Sequence, residues 1–393
     1  MADAPRDVWI TGIGIVSCLG EGPEAHWRGL NEPTPIVDVK TFAPYAVHPL
    51  CRVDFDKQIP KKGDQRQMEP WQRIGTYAAG LALDSAGAKG NGDLLGHMDM
   101  IVAAGGGERD WAADGAILTG LPKANDPERF LNERLMSDLR PTLFLAQLSN
   151  LLAGNISIVH SVTGSSRTFM GEELAGVDAV RIALQRIRAN QSDIALVGGA
   201  QNGERKDLLM LYDFGGFGLK GDFRPVWERT PAPGFALASM GAFLVLESRE
   251  HAQKRKATPL AKLSQVVAAS AARRPGTVET SLDKLWSTLG SSASAAVVSG
   301  ATGTEPATSE ERSFLTRHPQ LAVRATGSHF GHGVEPQFIM NIAVATLAVH
   351  YGKLFAPFDS TGAEQPMTGP IAQAVVTSVG HWRGEGLALV ERI

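Results

Sequence analysis

The stretch EELAGVDAVRIALQRIRANQSDIALVGGA, residues 172–200, contains both hydrophobic patterns of an α/β protein, that of a helix followed by that of a strand. Apolar residues recur at helical spacing in its first part, at Leu174, Val177, Val180, Leu184 and Ile187. Its second part, 193–200, is a short continuous apolar run that is typical of a buried strand. Because apolar strands also precede it, the stretch belongs to an alternation of strand, helix and strand, which favours an α/β fold with parallel pairing.

The segments before this stretch continue the alternation. Residues 8–20 (VWITGIGIVSCLG) and 98–107 (MDMIVAAGGG) are apolar strands that end in glycines, and 70–87 has the pattern of a helix closed by glycine. Residues 109–140 are polar, and we expect an irregular insertion or cap there. Residues 141–158 return to an apolar helix followed by the letters NISIV.

A weak internal repeat indicates a division of the chain near residue 250. Residues 240–250 (MGAFLVLESRE) and 384–393 (GEGLALVERI) each run from a glycine through an apolar strand to a charged end. The charged stretch 251–260 follows the first of them. We therefore expect two similar halves, 1–250 and 251–393, with the insertion at about 109–140 inside the first.

Composition excludes several classes of protein. The 393 residues carry a formal charge of −3, which provides no basic surface for nucleic acid. The longest nearly apolar stretch, 338–349, is too short to span a bilayer. The N-terminal residues show no signal-peptide pattern, and two cysteines are too few for a disulfide framework. We expect a cytoplasmic protein with no membrane span.

Two motifs have ordinary structural explanations. Gly12-Ile13-Gly14 follows a strand, but Ser17 stands where a dinucleotide-binding fingerprint needs its third glycine, so we interpret these glycines as a tight βα turn. Cys18 follows the first strand and Cys51 lies in a polar segment, and we expect free cysteines that pack as small apolar residues.

Two pairs of polar residues remain open in function when taken alone. His329 and His332 lie in the glycine-rich loop TGSHFGHG, where the backbone can approach a ligand closely, yet two histidines without further ligands define no metal site. Glu172 and Glu173 open the helix of 172–187, where the unpaired N–H groups of the first turn stabilise carboxylates. No cofactor and no metal are expected.

Five segments of the chain are informative together, in this order: VWITGIGIVSCLG at 8–20, AGNISIVHSVTGSS at 153–166, DIALVGGAQNG at 193–203, FRPVWERTPAPGFALASMGAFLVLE at 223–247, and LAVRATGSHFGHG at 321–333. They resemble β-ketoacyl-ACP synthases, the condensing enzymes with a thiolase-type fold. The resemblance covers nearly the whole chain. It implies a thiolase-like fold of two similar βαβ-type halves in layered α-β-α-β-α order.

The resemblance also assigns site residues. The family's nucleophilic cysteine falls on Glu173, and its second histidine is kept as His332. The first histidine falls on Ala301, or on Thr302 if the register shifts by one. The closing glycine loop of the family resembles HWRGEG at 381–386. There Trp382 takes the gating phenylalanine position, Gly384 is kept, and His381 lies beside them as a residue of the acyl tunnel or gate.

These replacements imply a change of function. Without a thiol nucleophile and with one histidine lost, we expect a chain-length-factor-like subunit that pairs with an active ketosynthase as a heterodimer, or else a homodimer, and that meets an acyl carrier protein. Three alternatives stay open. The chain could decarboxylate malonyl-ACP through Glu173 and His332 or act as a weak 3-oxoacyl-ACP synthase, Cys18 could be a nucleophile in another register, or the chain could only bind carrier protein.

Overall fold

In the computed structural model, thirteen strands build one large mixed sheet and a small ribbon among the residues described, which are 5–139, 143–144, 147–291, 295–367 and 369–393. The strands are β1 Val8–Ser17, β2 Gly20–Glu21, β3 Val47–His48, β4 Asp99–Ala103, β5 Ser166–Phe169, β6 Ile194–Gln201, β7 Leu237–Ala238, β8 Met240–Ser248, β9 Ala261–Ala272, β10 Ala296–Ser299, β11 Ala322–Ala325, β12 Gln373–Val379 and β13 Arg383–Glu391. The order in the large sheet is β11-β10-β12-β13-β9-β1-β8-β6-β4-β5, with β2 on β1, and β3 pairs with β7.

Strand pairing differs between the ends and the middle of the sheet. Strands β5, β4 and β6 are mutually parallel at one end, and β11, β10 and β12 are parallel at the other. The middle strands, from β12 through β13, β9, β1 and β8 to β6, pair antiparallel. The α/β class is therefore confirmed, whereas parallel pairing holds only toward the ends. A strand buried on both faces has the same apolar pattern in either orientation, so sequence could not separate the two.

The helices alternate with these strands. They are α1 Gly22–Gly29, α2 Lys62–Gln67, α3 Pro70–Ser85, α4 Gly92–His97, α5 Trp111–Gly120, α6 Pro127–Asp138, α7 Leu151–His160, α8 Glu172–Arg188, α9 Lys206–Phe214, α10 Arg249–Lys254, α11 Thr277–Leu289, α12 Ala307–Thr316, α13 Gly327–Phe330 and α14 Gln337–Tyr351. Short 3-10 turns cover Phe55–Lys57, Leu121–Lys123 and Val226–Glu228. The helices expected from 70 and from 172 are both confirmed in place.

Two local expectations were wrong. The segment 109–140 is largely helical, because Asp110 and Asp126 cap α5 and α6 by accepting backbone N–H groups, and residue 140 lies outside the described residues. The letters NISIV do not follow a helix but form part of α7. Of the stretch before α7, residues 141–142 and 145–146 lie outside the described part of the chain.

The long helices α8 and α14 pack against strands from both ends of the sheet, and together they form the middle layer of the fold. Every residue of α14 from Gln337 to Val349 is buried, so the apolar run noted in the sequence is a core helix. Helices α3 and α7 cover the strands at one end from the other side, and α11 and α12 cover those at the opposite end. No helix in the described ranges is both long and apolar enough to cross a bilayer.

The glycines of Gly12-Ile13-Gly14 have a packing role. They lie within β1 rather than in a βα turn, which corrects that part of the interpretation. A Cβ atom at Gly14 would lie 2.0 Å from the carbonyl oxygen of Ala78 in α3. The absence of side chains therefore lets α3 approach the strand closely.

Candidate functional site

Glu173 lies buried at the beginning of α8, with 2% of its surface exposed. Its Oε1 atom accepts three hydrogen bonds. These come from Nε2 of His332 at 2.9 Å, from Nδ1 of His381 at 2.8 Å and from the backbone N–H of His381 at 3.2 Å. An ionised carboxylate can only accept, so each imidazole presents an N–H to the same oxygen. The Oε2 atom has no hydrogen-bond partner among the residues described.

The backbone before Glu173 turns through the left-handed region. Gly171 has φ of 124° and Glu172, which is not a glycine, has φ of 57°. Such a conformation is costly for a residue with a side chain and is common at functional sites. This turn starts α8 abruptly and places Glu173, rather than a loop residue, at the base of the helix facing the two histidines.

His332 is held by backbone pairing from both sides. Its N–H donates to the carbonyl of Ala236 at 2.8 Å, and its carbonyl accepts from the N–H of Ala238 at 3.0 Å. Gly331 precedes it with φ of 72°, which lets the chain turn sharply after α13. The imidazole is therefore fixed by the short strand β7 and is 3% exposed.

His381 lies in the tight turn between β12 and β13. Arg273 holds this turn, since its guanidinium donates to the carbonyls of Gly380 and Gly384 and forms an ion pair with Glu385. Gly380 lies against the site, because a Cβ atom there would be 3.1 Å from Oε2 of Glu173 and 2.1 Å from the carbonyl of Arg383. The turn thus points His381 inward, where it is 4% exposed.

Aromatic rings enclose the two imidazoles. The ring of His381 meets Phe217 at 4.6 Å, Tyr212 at 5.3 Å and Phe235 at 5.5 Å between centroids, each edge to face. Phe235 also contacts the ring of His332 at 5.0 Å. This apolar wall keeps water away from the hydrogen bonds on Glu173 and so strengthens their electrostatic part.

Opposite charges stabilise the pair formed by Glu173 and His381. Burial alone would raise the pKa of Glu173, but the charge of His381 and the hydrogen bonds from His332 and His381 outweigh it and hold that pKa well below its usual value. Burial likewise opposes the charge on His381, yet the charges of Glu173 and Glu172 and the hydrogen bond that His381 donates to Glu173 raise its pKa. The two groups form a buried ion pair.

The other residues expected at the site are more scattered. Ala301 is buried in the loop after β10, where its N–H donates to Ser299, and Thr302 next to it bonds to Thr304. In the described chain, the imidazoles within hydrogen-bond distance of Glu173 are His332 and His381. Trp382 lies at the surface with 60% exposure, and Gly384 turns the chain with φ of 88°.

Two further carboxylates lie beside the site, Glu172, which the sequence analysis noted with Glu173, and Glu335, which it missed. Glu335 is buried, and its burial raises its pKa to about 7, helped by the charges of Glu173 and Glu172. Its Oε2 lies 3.5 Å from Nε2 of Gln201. Glu172 places Oε1 3.8 Å from Nε2 of His381. A glutamate two residues before the apolar helix α14 was a sequence signal for Glu335.

The sulfur of Cys18 contacts His48 and the carbonyl of His329 rather than Glu173. Burial raises the pKa of the Cys18 thiol to about 12, and its sulfur is 3.8 Å from Nδ1 of His48. Burial lowers the pKa of His48 to about 3, so this pair stays neutral and unreactive near pH 7. Cys51 is half-buried with a pKa raised to about 11, and both cysteines are free. In the part of the chain described, no cluster of His, Cys, Asp and Glu has the geometry to hold a metal ion.

Comparison with known proteins gives consistent matches. The family model described as "Beta-ketoacyl synthase, N-terminal domain" matches residues 5–252. The 3-oxoacyl-(acyl-carrier-protein) synthase 2 of Rhizobium meliloti (strain 1021) is 26% identical over 278 residues, covering 64% of this chain and 61% of that protein. The tetracenomycin polyketide synthase ketoacyl synthase beta subunit of Streptomyces glaucescens is 27% identical over 286 residues, covering 70% of this chain and 66% of that protein. The chain thus spans less than two thirds of either relative.

Solved structures share the fold along the full chain. The structure described as "The ishigamide ketosynthase/chain length factor" superposes with a TM-score of 0.80 at 20% identity, covering 99% of this chain and 100% of that one. This likeness confirms the thiolase-like fold expected from the sequence. The assignment of Glu173, His332 and Ala301 to particular family positions stays a prediction.

Proposed function

Because the chain belongs to the beta-ketoacyl synthase family, we propose that it is a chain-length-factor-like subunit. In this role it pairs with an active ketosynthase and helps to set the length of a fatty-acyl or polyketide product. The observation that carries the proposal is the buried carboxylate of Glu173 at the start of α8, where the resemblance expects the nucleophilic cysteine. The printed descriptions of two similar proteins, a beta subunit and a ketosynthase/chain length factor, support it.

The chemistry of Glu173 argues against independent condensation. A carboxylate that attacked a thioester would form an anhydride, which lies uphill in energy and hydrolyses easily. Its ionised oxygen is also already engaged by three N–H groups. Glu173, His332 and His381 are each at most 4% exposed, so the described residues around them shield the carboxylate from solvent.

The end of the large sheet supplies a surface for the partner. Strand β5 ends the sheet order, and within the described chain it is paired on one side, with β4. An open strand edge presents unpaired N–H and C=O groups to another chain. Beside this edge Ile158 of α7 is 70% exposed and Met170 is 66% exposed, and α7 packs against β5. We propose that the partner ketosynthase, or a second copy, adds its own strand here.

Charge substitutions test this surface. We expect Ile158→Glu with Met170→Glu to convert a dimer to a monomer in light scattering after gel filtration, because two carboxylates would be buried at the contact. Phe214→Glu is the matched control, since Phe214 is also a large exposed apolar residue (82%) and belongs to α9 rather than to α7 or the end of β5. A dimer that survives the double substitution refutes the proposed surface.

A condensation assay tests the proposed role. The purified chain is mixed with acyl-ACP and malonyl-ACP, and both 3-ketoacyl product and released CO₂ are measured. We expect neither from the chain alone, and a changed product length when it is co-expressed with an active ketosynthase. Ketoacyl product from the chain alone, unaffected by Cys18→Ala, would overturn the assignment of Glu173 as well as the partner role.

A second candidate function is decarboxylation of malonyl-ACP. It is favoured by the convergence of two imidazoles on one point, because such donors would stabilise the enolate that forms as CO₂ leaves if its oxygen displaced Oε1 of Glu173. In this case the same assay yields CO₂ without ketoacyl product. Glu173→Gln then keeps or raises the CO₂ rate, whereas His332→Ala lowers it.

The two-half organisation also remains our proposal. Five strands that precede residue 250, namely β1, β8, β6, β4 and β5, occupy one end of the large sheet, and five that follow it, β9, β13, β12, β10 and β11, occupy the other. This order supports a boundary near 250 between two similar halves.

A further inference from the structure

The N–H groups around Glu173 come from two separate loops. His332 contributes Nε2 from the loop after α13, and His381 contributes both Nδ1 and its backbone N–H from the β12–β13 turn. All three point to one oxygen, Oε1, at 2.9, 2.8 and 3.2 Å. Three donors aimed at one point form the geometry that binds a negatively charged oxygen.

This geometry is built by the surrounding chain rather than by Glu173 alone. Arg273 fixes the turn that carries His381 through the carbonyls of Gly380 and Gly384 and through Glu385. Backbone pairing with Ala236 and Ala238 fixes His332. The donors should therefore keep their directions when the carboxylate is removed.

We propose that His381 supplies, as a direct hydrogen-bond donor, the second imidazole which the resemblance expects at Ala301. His332 and His381 together then form a two-imidazole cradle that binds an anionic oxygen at the position of Glu173 Oε1. The natural occupant is the carboxylate of Glu173 itself. This inference goes beyond the partner role, because it concerns the donors and holds whether the chain shapes a partner's product or releases CO₂ itself.

The charged groups around the cradle decide which ligand it takes. Glu172 and Glu335 add negative charge nearby, and Arg273 adds positive charge behind His381. Tyr212 lines the same side, with its pKa raised by burial and by these carboxylates, so it stays neutral. The neighbouring carboxylates disfavour a doubly charged ligand, so a small monoanion such as formate is the appropriate probe.

The test removes the carboxylate of Glu173 and offers a free carboxylate, formate, in solution. In Glu173→Ala we expect added sodium formate to raise the melting temperature in a saturable way, by about 2 °C at ten times its dissociation constant. Sodium chloride at the same ionic strength should not do so. Wild type should show no such rise, because its own carboxylate fills the cradle. In Glu173→Ala with His381→Ala the formate effect should be lost, and His381→Gln, which keeps a side-chain N–H, should restore part of it.

Two outcomes would overturn the proposal. One is no formate effect in Glu173→Ala, and the other is an equal effect with and without His381. If Glu173→Ala does not fold, Glu173→Cys decides, because its thiolate can be titrated by ultraviolet absorbance against Glu173→Ser without any ligand. We expect a thiol pKa at least about one unit below the ordinary value near 8.5, and a rise when His381 is also replaced by alanine. An unchanged thiol pKa in the double variant refutes the role of His381.

Discussion

Replacing Glu173 by alanine removes the carboxylate that two buried imidazoles share and with it the principal charge that raises the pKa of His381. Breaking such a pair by removing one partner typically costs about 3–5 kcal/mol. Glu172, whose Oε1 lies 3.8 Å from Nε2 of His381, partly replaces the lost charge, so we expect the lower end, about 3 kcal/mol. With an unfolding entropy of about 2.1 cal/mol/K per residue, a chain of 393 residues has about 0.8 kcal/mol/K, and the melting temperature should fall by about 4 °C.

The loss of stability in Glu173→Ala should depend on pH in a defined direction. Glu173 has its folded pKa below the ordinary 4.5, so its contribution is complete above that value and disappears as pH falls through the folded pKa. His381 has its folded pKa above the ordinary 6.5, so its contribution is complete below that value and disappears as pH rises through the folded pKa. The difference between wild type and variant should therefore be largest between 4.5 and 6.5.

Scanning fluorimetry at pH 5.5 and pH 9 measures both effects. Glu173→Gln is the matched control, because it keeps the size and one accepting oxygen but removes the charge, and it should lose less than alanine. A melting temperature that is unchanged in Glu173→Ala, or a difference equal at both pH values, would refute the ion pair as described.

Three further predictions concern neighbouring residues. Glu335 has its folded pKa raised to about 7, so its ionisation destabilises the fold increasingly as pH rises from 4.5 through 7, by at most about 3 kcal/mol. In urea unfolding, Glu335→Gln should therefore be more stable than wild type at pH 8 and equally stable at pH 4. Gly384→Ala should destabilise the protein by about 1–2 kcal/mol in the same assay, because φ is 88° and a Cβ would lie 3.0 Å from Cβ of Leu174, and a neutral effect would contradict the turn geometry. Trp382→Ala should change stability by less than about 0.5 kcal/mol because the side chain is 60% exposed, yet it should alter product length with a partner ketosynthase if Trp382 belongs to the shared tunnel.

Periodicity was enough to predict the principal elements. The helix from 172, the strand after it and the helix from 70 all form where the apolar spacing placed them. Strand direction could not be derived, because buried strands have the same composition whether parallel or antiparallel. Helix α6 was missed because its many charged residues obscure the apolar period, and α5 because its apolar residues do not gather on one face, although the aspartates that cap both helices were visible in the sequence.

The site was accessible from sequence only in part. The resemblance placed Glu173 and His332 near each other, and the structure brings them within a hydrogen bond. His381 was expected at a gate, yet its ring bonds to a residue 208 positions away, a contact that no local pattern encodes. The buried position of Glu335 likewise depends on space left by Gly105, where a Cβ would lie 2.5 Å from Oε1.

The distance along the chain between the partners of Glu173 has a consequence for folding kinetics. Its hydrogen bonds reach across 159 residues to His332 and 208 residues to His381. Contacts that close such long loops form late, after the local helices and hairpins have assembled. The ion pair should thus be largely absent from the folding transition state, so that removing it speeds unfolding while refolding keeps its rate. In the cell, Glu173 and its two histidines would then govern how long a folded molecule lasts rather than how quickly it is made.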